Sequence, residues 1–269
     1  MKKNILFGII IFFSVVFIII LNYDNILKFQ YKKAINNKDC EKIYNIVDIE
    51  SGNYLTKEKY IEQCNLKIND YNNNEIQIEN HKIKNNIVKI YNNITFYIPS
   101  DSDFYLDNKL ISNNYTSDEN NIYNIFTFDK LYEGEYSIKF NNQTNEVKEI
   151  ITISEDDFIK NYEYNNAKQL VVVVGHDLCK YCTSLLSFLS TLDANIFDIK
   201  YYNVYVEKDN KELERVLKEI SQHFKEEVNG YPTVIIGDKY IKGFNDTMES
   251  KYIDSIYYSY RNGIETIIK

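Results

Sequence analysis

The segment that most restricts how this chain can fold is Leu170-Val-Val-Val-Val-Gly175. Four consecutive β-branched residues leave no polar face to turn toward water, so the run is expected to be a strand buried on both sides. It stops at a glycine, and His176-Asp-Leu-Cys179-Lys-Tyr-Cys182 then opens an amphipathic segment. The pattern reads as a buried strand that delivers a dithiol to a helix N-terminus. Gly230-Tyr231-Pro232-Thr233 follows later in the chain, and the chemistry is expected at these two places.

The residues around them alternate in type. A strand is expected at Leu170–Val174, a helix at Lys180–Leu192, a strand at Lys200–Val206 and a helix at Asn210–His223, the order of parallel strands joined by a crossover helix. Thr233–Ile236 and Lys239–Lys242 flank Gly237-Asp238, the two-residue turn of a hairpin, and Thr247–Ile268 is again helical in pattern. A linker helix is expected over 156–169.

This β-α-β-α-β-β-α order resembles the thioredoxin fold. Cys179-Lys-Tyr-Cys182 stands where that family carries its redox motif, and Gly230-Tyr-Pro-Thr233 where it carries its cis-proline loop. The resemblance covers 170–269 and implies an α/β thioredoxin-like domain acting as a thiol-disulfide oxidoreductase, similar to the accessory proteins of bacteriocin transport. Physically, the unpaired N–H groups of a helix start and its positive dipole end stabilise a thiolate on Cys179, and Lys180 adds a cation. Cys179 is then the attacking nucleophile and Cys182, one turn further in, the resolving thiol. The resemblance further implies a cis bond at Pro232 that presents the backbone of Tyr231 to an extended substrate. The chain departs from the family at Leu178, where a Trp is common, and at Val173, where thioredoxins place a buried acid. Its Gly-Tyr-Pro-Thr loop is like that of disulfide isomerases and leans toward oxidation or shuffling.

Other readings of these residues stay open. His176, Cys179 and Cys182 share a spacing that suits zinc ligands, although no second ligand pair is present and no metal is expected. Alone, His176 reads as a loop residue, His81 and His223 as structural, and Asp177 as a solvated turn acid.

Ahead of this module, Met1-Lys2-Lys3 precedes the apolar run Ile5–Leu21, long enough to cross a bilayer. No small-x-small cleavage site follows it, so 1–24 is expected to be a transmembrane signal anchor, single-pass, with an inside N-terminus and an extracytoplasmic body. Residues 25–99 read as short helices followed by alternating strands at Ile76–Ile78, Val88–Ile90 and Ile94–Ile98. Their phrase Tyr31-Lys-Lys-Ala-Ile-Asn-Asn-Lys-Asp39, with Leu55-Thr-Lys-Glu-Lys-Tyr60, resembles the cone-shaped, nuclear-transport-factor-like domains of bacterial envelope proteins, which implies an α+β cone-like domain. Residues 100–155 show strands only, with turns at Asp107-Asn108 and Asn141-Asn142, and resemble small immunoglobulin-like modules, which implies a small β-sandwich-like domain. Cys40 and Cys64 are expected to form a structural disulfide; two buried thiols or a second redox pair are the alternatives.

A chain of 269 residues, 44% hydrophobic, with 2 prolines and 8 glycines, is ordered enough to fold into several small domains. Its net charge of -8 argues against nucleic acid as a partner, since phosphate contacts need a concentrated positive surface. The wealth of Asn, Ile, Tyr and Lys resembles the usage of bacteria with AT-rich genomes, and the cell membrane of a Gram-positive bacterium is the expected location. The function expected from all of this is a membrane-anchored extracytoplasmic thiol-disulfide oxidoreductase without a cofactor. Its partners would be cysteine-containing proteins or peptides, a membrane or soluble redox recycling partner, and the bilayer through 5–21. The competing expectation is a non-enzymatic envelope binding or sensing protein with a structural disulfide or metal site.

Overall fold

The computed structural model describes residues 22–50, 52–71, 76–112, 115–206 and 210–268. Six α-helices and four small sheets lie among them, a mixed α/β architecture. Two compact units interleave along the chain. One holds the described residues up to Thr95 with Thr127–Tyr136 and Ile150–Ile159; the other holds Phe96–Phe126, Ser137–Glu149 and what is described from Lys160 onward.

The first unit contains helices α1 (Tyr23–Asn36), α2 (Cys40–Ile46) and α3 (Lys57–Lys67), with strands β1 (Val47–Asp48), β2 (Ile78–Glu79) and β3 (Lys82–Lys84) in the order β1-β3-β2. Helix α1 buries Leu27, Tyr31, Ala34 and Ile35, a stripe at three- and four-residue spacing, and leaves Lys28, Lys32 and Lys33 in water. The starts of the next two helices are capped by side chains. The Asp39 carboxylate accepts from the Lys42 N–H at 3.0 Å and the Thr56 hydroxyl from the Lys59 N–H at 3.2 Å, so each satisfies a backbone donor that the helix itself cannot. Cys40 and Cys64 are joined in a disulfide between α2 and α3, with Cα atoms 5.9 Å apart, inside a core that includes Tyr31, Ile43 and Tyr60.

Several expectations are corrected. A fold class and location built on a single-pass transmembrane helix find no support among the described residues, where no helix is long and apolar enough to cross a membrane. The longest helices described here have 14 residues, against the ~20 apolar residues a span requires, and each carries charges along one face. The run 5–21 on which the anchor and the bilayer contact rested lies outside the described residues. The linker helix over 156–169 is instead strand β11 (Ile159–Asn161) and extended chain. There Tyr162 and Tyr164 are buried and Asn161 and Glu163 are not, a period of two that no helix accommodates. The strands expected between 76 and 98 do not form one meander. Those at 78–84 join the small sheet with β1, whereas β4 (Ile90–Pro99) joins a larger one with β8 (Tyr123–Tyr132).

Strands β5 (Asp103–Leu106), β6 (Lys109–Leu110), β7 (Tyr115–Ser117), β9 (Gly134–Asn141) and β10 (Glu146–Ile153) complete two four-stranded sheets, ordered β10-β9-β5-β6 and β11-β4-β8-β7. Within the second unit the aromatic faces of these sheets meet, Phe104 lying 5.7 Å from Phe96 and 4.7 Å from Phe126, ring centre to ring centre. Asp107 and Asn108 turn the chain between β5 and β6 with φ of 48° and 64°, a conformation that short polar side chains tolerate best among non-glycine residues.

The remaining sheet is built from β12 (Gln169–Gly175), β13 (Phe197–Asn203), β14 (Thr233–Ile236) and β15 (Lys239–Lys242) in the order β13-β12-β14-β15. Strand β12 runs parallel to β13 and antiparallel to β14, which pairs antiparallel with β15. Val171 and Val173 pack with Leu185 and Leu189 of α4 (Lys180–Leu189) and with Tyr252, Ile253 and Ile256 of α6 (Glu249–Arg261). Val172 and Val174 pack on the opposite face with Leu213, Val216 and Ile220 of α5 (Lys211–Phe224). Helices thus cover both faces, and every position of β12 from Val171 to Val174 is fully buried.

One buried ion pair stands out in the second unit. The Arg261 guanidinium, 3% exposed, donates from Nε and Nη2 to both oxygens of Glu163 at 2.9 Å and from Nη1 to the Ile122 carbonyl at 2.7 Å. This fork is satisfied on each nitrogen, with Asp101 a second carboxylate 3.9 Å from Nη1. Neutralising Glu163 therefore removes the nearer of two charges that balance a buried guanidinium and sets an amide NH2 against it. Glu163→Gln is expected to lower stability by about 3 kcal/mol, read from urea unfolding of the full chain. For the first unit, the double substitution Cys40→Ser with Cys64→Ser is expected to cost about 3 kcal/mol, because it frees a loop of 24 residues in the unfolded chain. Thermal unfolding with and without reductant checks that value.

Candidate dithiol site

The site forms where β12 ends. Gly175 hands the chain to a short turn, His176-Asp177-Leu178, in which the Cys179 N–H donates to the His176 carbonyl at 3.0 Å. Cys179 is the N-cap of α4, with extended backbone angles and its sulfur accepting from the Cys182 N–H at 3.1 Å. In most helices an Asp, Ser or Thr oxygen takes that place; here it is the sulfur. The first turn of α4 contains no acidic residue, so nothing competes with sulfur for the positive end of the helix. Cys179 and Cys182 are disulfide-bonded with Cα atoms 5.2 Å apart.

The two sulfurs differ in access. Cys179 is half-buried, whereas Cys182 is 1% exposed and belongs to the inner face of α4 beside Leu185 and Leu189. Gly175 makes room for it, since a Cβ at that position would lie 2.8 Å from the Cys182 sulfur and 3.3 Å from the Tyr201 hydroxyl oxygen. Two elements therefore converge on the buried sulfur: the end of β12 and, across the parallel pairing of Val173 with Tyr201, strand β13. Burial first, and then the nearby Asp177 carboxylate, push the Tyr201 phenol up from its ordinary value, so it stays protonated at neutral pH.

Opposite lies the loop before β14. Antiparallel pairing sets Val174 against Thr233, which brings Tyr231 and Pro232 to the end of the sheet where the dithiol turn begins. The Tyr231–Pro232 peptide bond is cis. The Pro232 carbonyl accepts from Gly243 N–H at 2.7 Å, and the Thr233 hydroxyl donates to the Gly230 carbonyl at 2.7 Å, so the loop is tied on both sides of the proline. The Tyr231 backbone itself makes no hydrogen bond among the described residues.

His176 joins the two loops. Its ring lies 4.5 Å from that of Tyr205 and meets Tyr231 edge-on at 5.4 Å, and its Nδ1 is buried without a hydrogen-bond partner among the described residues. Lys180 is exposed on the first turn of α4. Cys40 and Cys64 belong to the first unit and their sulfurs are bonded to each other, so neither is a free thiol. Among the described residues no cluster of three His, Cys, Asp or Glu side chains is placed to hold a metal ion. His81 meets Asp24 at 2.9 Å on the surface of the first unit. The side chains around the dithiol turn are apolar and open to water: Leu178 is 86% exposed, Tyr181 is exposed on the first turn of α4, and Tyr205, whose ring meets that of His176, is exposed as well.

Residue types alone did not single out Gly175, Tyr201 or Tyr205. The position of Gly175 at the end of the valine run was a usable signal, since a glycine there marks a close approach; Tyr201 and Tyr205 carried none, because their place depends on strand pairing. No protein-family model, curated protein or solved structure matches the chain. Replacing Gly175 by Ala is expected to push α4 outward and to cost about 1–3 kcal/mol, seen as a lower thermal midpoint with the Cys179–Cys182 pair oxidised.

Proposed function

We propose that this protein is a thiol-disulfide oxidoreductase acting on cysteines of other proteins or peptides, with residues 170–269 as a thioredoxin-like redox module. The observation that carries the reading is the capping of α4 by the Cys179 sulfur, with the Cys182 N–H aimed at it. A donor and a helix terminus directed at one accessible sulfur are what a stabilised thiolate requires. The uncommitted backbone of Tyr231, whose ring meets His176 of the dithiol turn, supports pairing with an extended substrate strand, and the exposed apolar side chains of Leu178, Tyr181 and Tyr205 support a peptide rather than a small polar substrate.

In the reducing direction, the Cys179 thiolate attacks one sulfur of a substrate disulfide. The substrate S–S bond breaks, one substrate sulfur leaves as a thiolate and takes a proton from water, and a Cys179–substrate mixed disulfide forms. Cys182 then loses its proton and attacks the Cys179 sulfur. The bond between Cys179 and substrate breaks, the second substrate thiolate leaves, and the two electrons of the dithiol end on the two substrate sulfurs. Oxidation of a substrate dithiol is the same sequence run backwards from the disulfide. A thiol or oxidant from outside the chain restores the starting form, and the Cys40–Cys64 bridge fits an oxidising compartment.

Cys179→Ser is expected to reduce disulfide turnover of an insulin-type substrate to the uncatalysed rate with the fold intact by circular dichroism. Cys182→Ala is expected to accumulate mixed disulfides through Cys179, identified by mass spectrometry after non-reducing electrophoresis. Undiminished turnover in the Cys179 variant sinks the reading, and a wild-type chain without turnover leaves a binding protein with a permanent disulfide.

A further inference from the structure

We infer that the Tyr201 hydroxyl is the positioning group for the resolving thiol, donating a hydrogen bond to the Cys182 sulfur, directly or through one water, once the Cys179–Cys182 bond opens. The inference deepens the proposed redox function and rests on it. Its basis is geometric. The Cys182 sulfur and the Tyr201 oxygen lie 2.8 and 3.3 Å from one point, the position that a Cβ on Gly175 would fill. The bare glycine leaves that point empty, with the Cys182 sulfur and the Tyr201 oxygen the nearest polar atoms to it.

The resolving step creates the need for such a donor. Cys182 is nearly closed off from water, and a buried thiol resists ionisation unless its thiolate is stabilised. The β12 position nearest in the sheet to Tyr201 is Val173, which offers no polar atom. The titratable groups around the buried sulfur are Cys179 on its own helix, His176 and Asp177 in the turn after β12, and Tyr201 on β13. Of these, Tyr201 is the one placed against that empty point, and its phenol stays protonated, which makes it a donor and not a base. During resolution the Cys182 proton passes to water; the Cys182 thiolate, held by the phenol, attacks the Cys179 sulfur, the bond from Cys179 to substrate breaks, and the substrate sulfur leaves with the electron pair.

The test is Tyr201→Phe in the full chain, with Cβ-labelled cysteines titrated by NMR in the reduced state. The ionisation constant of Cys182 is expected to fall about tenfold, the size of a lost hydrogen bond to a charged group, while that of Cys179 holds. Resolution of a preformed mixed disulfide at neutral pH should slow by about threefold, because the remaining thiolate is fewer in number but more nucleophilic. In the unaltered protein, the Tyr201 ring carbon bearing the oxygen should shift with the Cys182 midpoint, a readout that does not depend on the variant folding. An unchanged Cys182 midpoint, or equal shifts at both cysteines, overturns the assignment while leaving the redox function standing. A wild-type dithiol that does not cycle against glutathione overturns both.

Discussion

The rest of the second unit depends on a strand with no wet face. Val171 to Val174 alternate between two hydrophobic cores, and a strand so placed must be flanked by hydrogen-bonded neighbours and covered by helices above and below. That requirement sets α4 and α6 on one side and α5 on the other. It also sets where β12 must stop. Burying a strand on both faces ends at the residue where the chain turns out of the sheet, and Gly175 is small enough to let a cysteine from the returning helix pack against it. The dithiol is thus an outcome of how the core closes at that end.

The same closure divides the labour between two chemically identical side chains. Cys179 sits at the cap, half in solvent, its sulfur accepting from the Cys182 N–H; Cys182 sits one turn along, where the amphipathic pattern of α4 turns it inward. Environment makes one suited to meet a partner and the other to remain sheltered. Across from them lies the tied Pro232 loop, and the ring of His176 contacts both Tyr231 of that loop and Tyr205. Elsewhere the chain relies on other devices: a disulfide between two short helices in the first unit, and the Arg261 fork in the second.

Periodicity made much of this legible. The strands at 233–236 and 239–242, the helix that begins at Lys180 and the alternation through 103–106 and 134–141 follow from which residues repeat every second or every third and fourth position. The failures have equally physical causes. At 156–169 the expected linker helix gives way to a strand and extended chain with buried tyrosines two apart, because a short mixed segment between modules has too few repeats for either period to prevail. The strand at 90–99, expected within the α+β domain of 25–99, pairs with 123–132, since strand partners are chosen by long-range packing. The anchor and membrane location, inferred from apolarity in 5–21, are not carried by any described helix.

By itself the sequence determined the buried strand, the pairing of two cysteines with a helix start, and a proline loop on the adjoining hairpin, because each is written in neighbouring residues whose spacing constrains the local backbone. Only the tertiary structure decided that Gly175 is the seat of the Cys182 sulfur, that Tyr201 reaches the same point from β13, and that His176 is enclosed by Tyr205 and Tyr231. Those relations cross strand pairings and loops far apart in the chain. Their free energy is realised only when the sheet has closed, so no local pattern records them.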